Sequence, residues 1–285
     1  MTARNLLALL AFSCVAGLGG CADKKVITTA TDTIKQKVVV IDFEATKRLA
    51  EQGDAKAQYL LGEMYFKGNN VRQSYALADK WYQKSAMQNN PDAQYAIGLS
   101  FMNGDGVRRD YEKAMEWFQK AASLGHSGAR TAIGSMHLKG KGNKINYSEA
   151  MEWFQKAENQ GNSDAQTAIG SMYFNGYGVR QDYSKAMEWY QKAAIQGNSD
   201  AQAAIASMYL QAEGVEKNYS KAMEWNQKAA RQGHVKAQYI LGLTYEYSYG
   251  ISPDRTIAKE WYGKACDNGH QEACHKYARL NGLTR

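Results

Sequence analysis

The six tryptophans of this chain stand at one fixed spacing, each 36 residues after the one before. They are Trp81, Trp117, Trp153, Trp189, Trp225 and Trp261. The residues around them repeat as well: AMEWFQKA occurs at 114–121 and again at 150–157, with near-copies at 186–193 and 222–229. A period of this length indicates a repeat array, in which each unit packs on its neighbours and not around one central core.

Each unit divides into two amphipathic halves. With alanine as the first position, units begin at Ala57, Ala93, Ala129, Ala165, Ala201 and Ala237, and a seventh fragment begins at Ala273. In the fourth unit Ala165, Ile169 and Met172 follow the spacing of one helix face, and a similar pattern runs from Tyr183 to Tyr190. Glycines at 175–178 break the chain between the halves. The pattern predicts an all-α array of helix pairs.

Two columns of the repeat carry packing predictions. Small residues recur at one phase inside the first helix, namely Gly62, Gly98, Gly134, Gly170, Ala206 and Gly242. Glycine within a helix costs about 1 kcal/mol against alanine, so its recurrence predicts that helix backbones approach closely there. The tryptophan column is predicted to fill the space between a helix and the following unit, because burying such rings supplies packing energy.

These columns together resemble the Sel1-like repeat, a relative of the tetratricopeptide repeat. The shared motif is alanine, Leu/Ile-Gly, an aromatic residue, Gly-x-Gly-Val, Asp/Asn-Tyr, Lys-Ala, Trp-Tyr and Lys-Ala-Ala, closing on glycine, and it covers residues 57–272. The resemblance implies a right-handed α-solenoid of six helix-turn-helix repeats, with capping helices at 43–56 and 273–285. The end units depart from the motif, as end units of arrays are expected to do: Asn70, Asn89 and Ser248 replace glycine, and Arg255 replaces tyrosine.

The first twenty residues are predicted to be a signal peptide. The apolar run Leu6–Leu18 is too short to span a bilayer comfortably. The string Leu18-Gly19-Gly20-Cys21 resembles the bacterial lipobox, which implies acylation of Cys21 and a lipid anchor; an ordinary signal peptide with a chance cysteine is the alternative. Residues 21–42 are predicted to be the lipidated cysteine and a tether. Ala22 after the cysteine implies, by the same resemblance, an outer-membrane protein that faces the periplasm.

Two cysteines remain beyond the anchor. Cys266 and Cys274 lie eight residues apart, across the turn between the last repeat and the C-terminal cap. In an oxidising periplasm this pair predicts a disulfide. Free thiols are one alternative, and a metal site of Cys266, His270, Cys274 and His275 is another. The spacing also resembles that of cysteine-rich Sel1 proteins, some of which carry a β-lactamase label.

Sequence motifs for catalysis are lacking. The chain has no HExxH, no Gly-x-Ser-x-Gly, no phosphate loop and no Ser-x-x-Lys. Its net charge of +7 comes from 35 basic and 28 acidic residues that are interspersed, whereas nucleic-acid interfaces need clustered charge. Repeat phase accounts for His126, His234, His270 and His137. We therefore predict a non-catalytic protein with no cofactor, no bound metal and no nucleic-acid partner; a peptidoglycan- or β-lactam-related hydrolase is the alternative.

A stripe along the first helices is the predicted partner site. Positions three, seven and eleven of each first helix lie on one helix face and form a groove if these helices line the inner curve, as in tetratricopeptide arrays. The groove residues singled out are Tyr59, Glu63, Tyr95, Asn103, Ser135, Ser171, Ser207, Tyr239 and Tyr247. Because side-chain size in the stripe changes between units, we predict that it is free of packing duties and binds a protein or peptide. A solvated helix face without a ligand is the alternative.

Overall fold

The computed structural model describes residues 42–282, and every regular element among them is an α-helix. The fourteen helices of this part of the chain are α1 (Phe43–Glu51), α2 (Ala55–Lys67), α3 (Tyr75–Ala86), α4 (Pro91–Asn103), α5 (Tyr111–Ser123), α6 (Ser127–Lys139), α7 (Tyr147–Glu158), α8 (Ser163–Asn175), α9 (Tyr183–Ile195), α10 (Ser199–Gln211), α11 (Tyr219–Arg231), α12 (Val235–Tyr247), α13 (Arg255–Asp267) and α14 (Gln271–Leu280). The predicted all-α array of helix pairs is confirmed.

The helices pack in chain order, as a solenoid requires. The pairs from α2 with α3 to α12 with α13 form six units, and single helices α1 and α14 cover the two ends. In addition, α6 touches α8, the first helix of the next unit. This contact is consistent with first helices that lie on the inner, shorter side of the array.

Backbone geometry explains the departures at the ends of the array. The turns that follow the helices contain residues with left-handed conformation, which is why glycine dominates those positions. Asn70, Asn89 and Ser248 replace glycine but keep positive φ angles of 58°, 60° and 62°. Asparagine enters this region more readily than most residues. The end units therefore keep the backbone of the repeat although they lose its glycines.

The glycine column makes room for an aromatic ring. A Cβ atom on Gly98 would lie 2.5 Å from the ring of Phe118, and one on Gly170 would lie 2.8 Å from the ring of Tyr190. The rings of this column, Tyr82, Phe118, Phe154, Tyr190 and Tyr262, each follow a tryptophan and are all buried. The predicted close approach of two helix backbones is also present, since a Cβ on Gly134 would lie 3.1 Å from the carbonyl oxygen of Ala150 on the partner helix. The nearest atoms, however, are those of the ring, which the sequence pattern did not identify.

The tryptophans lie at the joints between units and are less buried than these rings. Trp81 is buried, and the other five are partly exposed. Trp153 packs on the cluster that holds Phe118 and Ile133, formed by the preceding second helix and the first helix of its own unit. A lysine three residues further on covers each ring, with Nζ between 3.9 and 4.5 Å from the centroid. The column thus packs back on the preceding unit, not forward as predicted.

Buried glutamines add a polar connection between units. The Nε2 of Gln202 donates to the carbonyl of Ala194 at 3.2 Å, and its Oε1 accepts from Gln232 at 2.9 Å. In the second unit Leu124 stands where the other units supply an amide. The Oε1 of Gln94 consequently finds no hydrogen-bond partner within residues 42–282. Leaving such a buried acceptor unsatisfied costs stability.

Candidate functional site

The predicted stripe lies along the first helices and is open to solvent in part. Asn103 and Tyr247 are exposed, and the others are half-buried, namely Tyr59, Glu63, Tyr95, Ser135, Ser171, Ser207 and Tyr239. Tyr95 and Ser135, from successive first helices, border one cavity. We call the stripe, with the residues that border it, the groove.

Two cavities open along the middle of the groove. The first has a volume of about 240 Å³ and is lined by Tyr95, Leu99, Met102, Thr131, Ser135, Met136, Lys139, Lys141 and Asp164, among others. The second, of about 280 Å³, is lined by Phe174, Tyr190, Asp200, Ala203, Ala204, Ser207, His234, Lys236 and Ile240. Each has an apolar floor and carries lysine and aspartate side chains. This combination can hold an apolar side chain of a ligand while charged groups orient it.

The tyrosines near the ends of the groove also pack on the core. The ring of Tyr95 stacks on His126 with centroids 4.4 Å apart and lies 5.6 Å from Phe118. Tyr239 stacks on His270 at 4.2 Å. Burial raises the pKa of Tyr95, and burial together with nearby Glu63 raises the pKa of Tyr59 to about 12. The predicted freedom of the stripe from packing is therefore wrong for Tyr95 and Tyr239.

A charged cluster fixes the C-terminal end of the groove. The hydroxyl of Tyr262 donates to Glu246 at 2.7 Å, and Lys276 Nζ donates to the hydroxyl of Tyr247 at 2.8 Å. Arg279 pairs with Glu246. The hydrogen bond from Lys276, followed by that from Arg279, lowers the pKa of Tyr247. Helix α14 thus holds Tyr247 in place through Lys276 and pairs with the neighbouring Glu246, a residue that the sequence pattern did not single out.

Three histidines begin helices at the edge of the groove. The Nδ1 atoms of His126, His234 and His270 each accept a hydrogen bond from the backbone N–H three residues on, at 2.9, 3.1 and 3.2 Å. The Nε2 atoms of His126 and His234 lie 3.3 and 3.2 Å from carboxylate oxygens of Asp92 and Asp200. Their capping role was missed from the sequence, although asparagine at the same position in other units was a usable signal.

The two C-terminal cysteines are adjacent. Their sulfur atoms lie 2.02 Å apart, and their Cα atoms lie 4.6 Å apart. His270, a member of the alternative metal site, is occupied as the cap of α14. Across residues 42–282, no group of three or more His, Cys, Asp or Glu side chains is arranged to hold a metal ion.

Cys21, the predicted signal peptide and nearly all of the predicted tether lie outside the described residues. Within the described part, no helix combines the length and the apolar character needed to cross a bilayer. The lipid anchor therefore stays a prediction.

The Sel1 repeat model matches this chain six times, at residues 55–90, 91–126, 127–162, 163–198, 199–234 and 235–270. The chain belongs to the Sel1 repeat family. Each matched unit begins two residues before the alanine used above to set the register. No curated protein matched the chain.

Solved structures agree with this family and fold. The antigen c5321 of uropathogenic Escherichia coli, which displays an SLR fold, is 35% identical, with a TM-score of 0.63; the match covers 86% of this chain but 53% of the antigen, so the chain spans about half of that protein. A Sel1 repeat protein from Oxalobacter formigenes is 31% identical over 78% of this chain and 90% of its own, with a TM-score of 0.69. The immunity protein Pa5087 from Pseudomonas aeruginosa is 22% identical over 75% and 81% of the two chains, with a TM-score of 0.59, and shows likeness of fold alone.

Proposed function

We propose that this Sel1 repeat protein is a non-catalytic scaffold that binds a protein or peptide segment in the groove. The observation that carries the proposal is the pair of cavities, each with an apolar floor and charges of both signs. Ligand pockets in proteins are concave, mostly apolar and equipped with a few polar groups that set orientation. Protein binding is also the general role of Sel1 repeats.

The middle of the groove suits a ligand backbone. Thr131, Ser135, Ser171, Ala203 and Ser207 are small, so a bound chain can approach the first helices closely there. The hydroxyl groups of Thr131 and of the three serines can donate and accept hydrogen bonds without a net charge. A segment with apolar side chains at intervals, interspersed with charged ones, fits these features best.

Site-specific photo-crosslinking in intact cells tests the proposal. A crosslinking residue at Ser135 or Ser171 faces the groove, and matched controls at Glu152 or Glu188 lie exposed on second helices. We expect a discrete partner band from the groove positions alone. Equal yields from both sets, or none from the groove, would contradict the proposal. Once the partner is identified, Ser135→Tyr should fill the first cavity and weaken binding without lowering the melting temperature.

We further propose that the protein is anchored in the bacterial outer membrane through an acylated Cys21 and faces the periplasm. The lipobox-like string at 18–21 and the apolar run before it support this location. Labelled palmitate should enter the protein, and Cys21→Ala should abolish the labelling. Unchanged labelling of the variant would overturn the anchor, and fractionation with the inner membrane would overturn the location.

A disulfide between Cys266 and Cys274 belongs to the same proposal. It would join α13 to α14 at the end of the array, where helices of a solenoid have a neighbour on one side only. Peptide mapping without reductant should recover the two cysteines in one linked fragment. Stoichiometric zinc that disappears in Cys274→Ser would favour the metal site instead.

The hydrolase alternative gains no support from the family match or from the similar structures. Its test is turnover of a chromogenic cephalosporin by the purified protein. We expect only background turnover. Activity that persists through rigorous purification would overturn the proposed non-catalytic role.

A further inference from the structure

One column of the array supplies the N-caps of the first helices and of α14. Its members are Asp54, Asn90, His126, Asn162, Asn198, His234 and His270. An asparagine oxygen accepts a hydrogen bond at any ordinary pH. An imidazole nitrogen accepts one only while it is unprotonated, and histidine changes its charge near physiological pH. Three of the seven caps are thus made from a group that acid can disable.

The contacts of His126 leave its Nδ1 free to accept the helix hydrogen bond. Asp92, on α4, lies at the Nε2 of His126 and fixes the proton there, and Tyr95 of the same helix stacks on the ring. Burial lowers the pKa of His126, and this effect outweighs the opposing attraction of Asp92. The folded state therefore prefers the neutral ring more than the unfolded chain does.

The other two sites have the same cap with different neighbours. At His234, the Asp200 carboxylate of α10 lies at Nε2, and Lys236 of α12 shares the adjoining cavity. At His270, Tyr239 of α12 stacks on the ring, and Glu272 of α14 lies near that tyrosine as its hydrogen-bond partner. In all three, Nδ1 faces the helix N–H.

We propose that the groove is acid-sensitive, because protonation of His126, His234 and His270 uncaps α6, α12 and α14. A proton on Nδ1 replaces an acceptor with a donor that faces another donor. It also places a positive charge at the positive end of the helix dipole. Asp92 and Asp200 can still hold the other ring nitrogen, but they cannot supply the lost acceptor.

The uncapped helices border the cavities of the groove. Tyr95, a wall of the first cavity, loses the fixed orientation of its stacked partner His126. His234 itself lines the second cavity. The idea that uncapping releases a bound partner rests on the proposed function, whereas the uncapping itself is a property of the chain alone.

The test replaces the three histidines together, as H126N, H234N and H270N. Asparagine is a suitable replacement because Asn162 and Asn198 already cap α8 and α10 at the same position of the repeat. All carboxylates, His137 and His275 stay the same in both proteins. Between pH 7.5 and pH 5.0 the parent should lose about 5 °C more in melting temperature than the variant. Equal losses in the two proteins would overturn the proposal.

Amide exchange gives a second, local measurement. In the parent, the amides of Ala129, Ala237 and Ala273 should exchange several-fold faster at pH 5.0 than expected from the asparagine-capped amides of Ala165 and Ala201, after correction for intrinsic rates. Uniform behaviour of the five amides would overturn the proposal even if the melting curves differed. Both measurements use the protein without a partner, so their failure leaves the scaffold proposal standing, and failed crosslinking leaves these results unaffected.

Discussion

Units four (163–198) and five (199–234) have helices of the same lengths but differ at the centre. In unit four Gly170 faces Tyr190, and a Cβ on the glycine would lie 2.8 Å from the ring. In unit five the same two positions hold Ala206 and Asn226. A larger residue on one helix is thus matched by a smaller one on the other, and the two helices keep their pairing.

The exchange preserves the fold at a cost in packing. Tyr190 is 5% exposed, and its hydroxyl interacts with Ser171. Asn226 is 2% exposed, and its Oδ1 finds no hydrogen-bond partner among the described residues. Ala212 also holds a positive φ of 60° where unit four has Gly176. Unit five is therefore expected to be the more weakly packed of the two, and this difference can be measured.

The largest expected difference in stability loss is between the two central side chains, Tyr190 and Asn226. Tyr190→Ala should lower the free energy of unfolding by about 3–5 kcal/mol, because it removes a buried ring and leaves a cavity beside Gly170. Asn226→Ala should cost no more than about 1 kcal/mol, because it also removes an unsatisfied amide. Urea unfolding followed by circular dichroism measures both. Equal losses would show that the two centres contribute equally to the free energy of unfolding and would contradict the expected difference between the units.

The tryptophans of units four and five are expected to contribute equally to the free energy of unfolding. Trp189→Ala and Trp225→Ala should each cost about 2–3 kcal/mol, less than loss of the fully buried ring, since both are partly exposed and lysine-covered. The same urea titration applies, with parallel hydrogen exchange to follow the spread of the loss to adjoining units. A difference above about 1 kcal/mol between the two variants would mean that the exchange at the centre of unit five reaches the joint between units.

Restoring the usual pair in unit five should stabilise it. Asn226→Tyr alone should destabilise, because the Ala206 methyl occupies space that the ring needs. Together with Ala206→Gly it should raise the free energy of unfolding by about 1–3 kcal/mol above the parent. A double-mutant cycle measures the coupling. Additive single effects would contradict the idea that the two residues exchanged volume.

Smaller effects are expected at the left-handed helix ends. Ala212→Gly should raise stability by about 1 kcal/mol, because alanine is strained at positive φ. Gly176→Ala in unit four should cost a similar amount for the same reason. Thermal melts of the two variants should shift in opposite directions. Shifts of the same sign would mean that side-chain contacts, not backbone strain, decide these positions.

The smallest effect is expected from the lysines over the tryptophans. Lys192→Ala and Lys228→Ala should each cost about 0.5–1 kcal/mol, since the charge over each ring is exposed to solvent. Raising the salt concentration should shrink the loss in both variants. Lys192→Met and Lys228→Met keep most of the side-chain bulk over the ring. These variants therefore show how much of the loss comes from the charge and how much from side-chain contact with the ring.

The repeat period predicted the array, the helix pairs and the breaks between helices, and the structure confirms them. It did not decide which of two neighbouring aromatic residues faces the core. Trp189 and Tyr190 are adjacent; the tryptophan recurs in all six units, and an aromatic ring follows it in every unit except the fifth. Successive side chains on a helix point about 100° apart, so both fit an amphipathic pattern. The choice depends on how each helix is rotated against its partner, and the glycine facing the ring was the available signal.

The groove, too, could be predicted from the sequence only in part. Spacing along a single helix placed the stripe residues on one face correctly, because that spacing is local. It could not show that Tyr95 packs on His126, 31 residues away, since no periodicity within one helix encodes a contact between units. The cavities were also hidden, because each is bounded by residues from three successive units.

The sequence by itself thus determined the architecture: a 36-residue period, helix pairs separated by glycine-containing breaks, and a family motif over most of the chain. These features are local, and repetition reinforces each of them six times. Only the tertiary structure decided which rings are buried, how Ala206 compensates for Asn226, and that His126, His234 and His270 accept helix hydrogen bonds at the edge of the groove. Those outcomes depend on the volume and the polar atoms that neighbouring helices present, and packing alone brings these together.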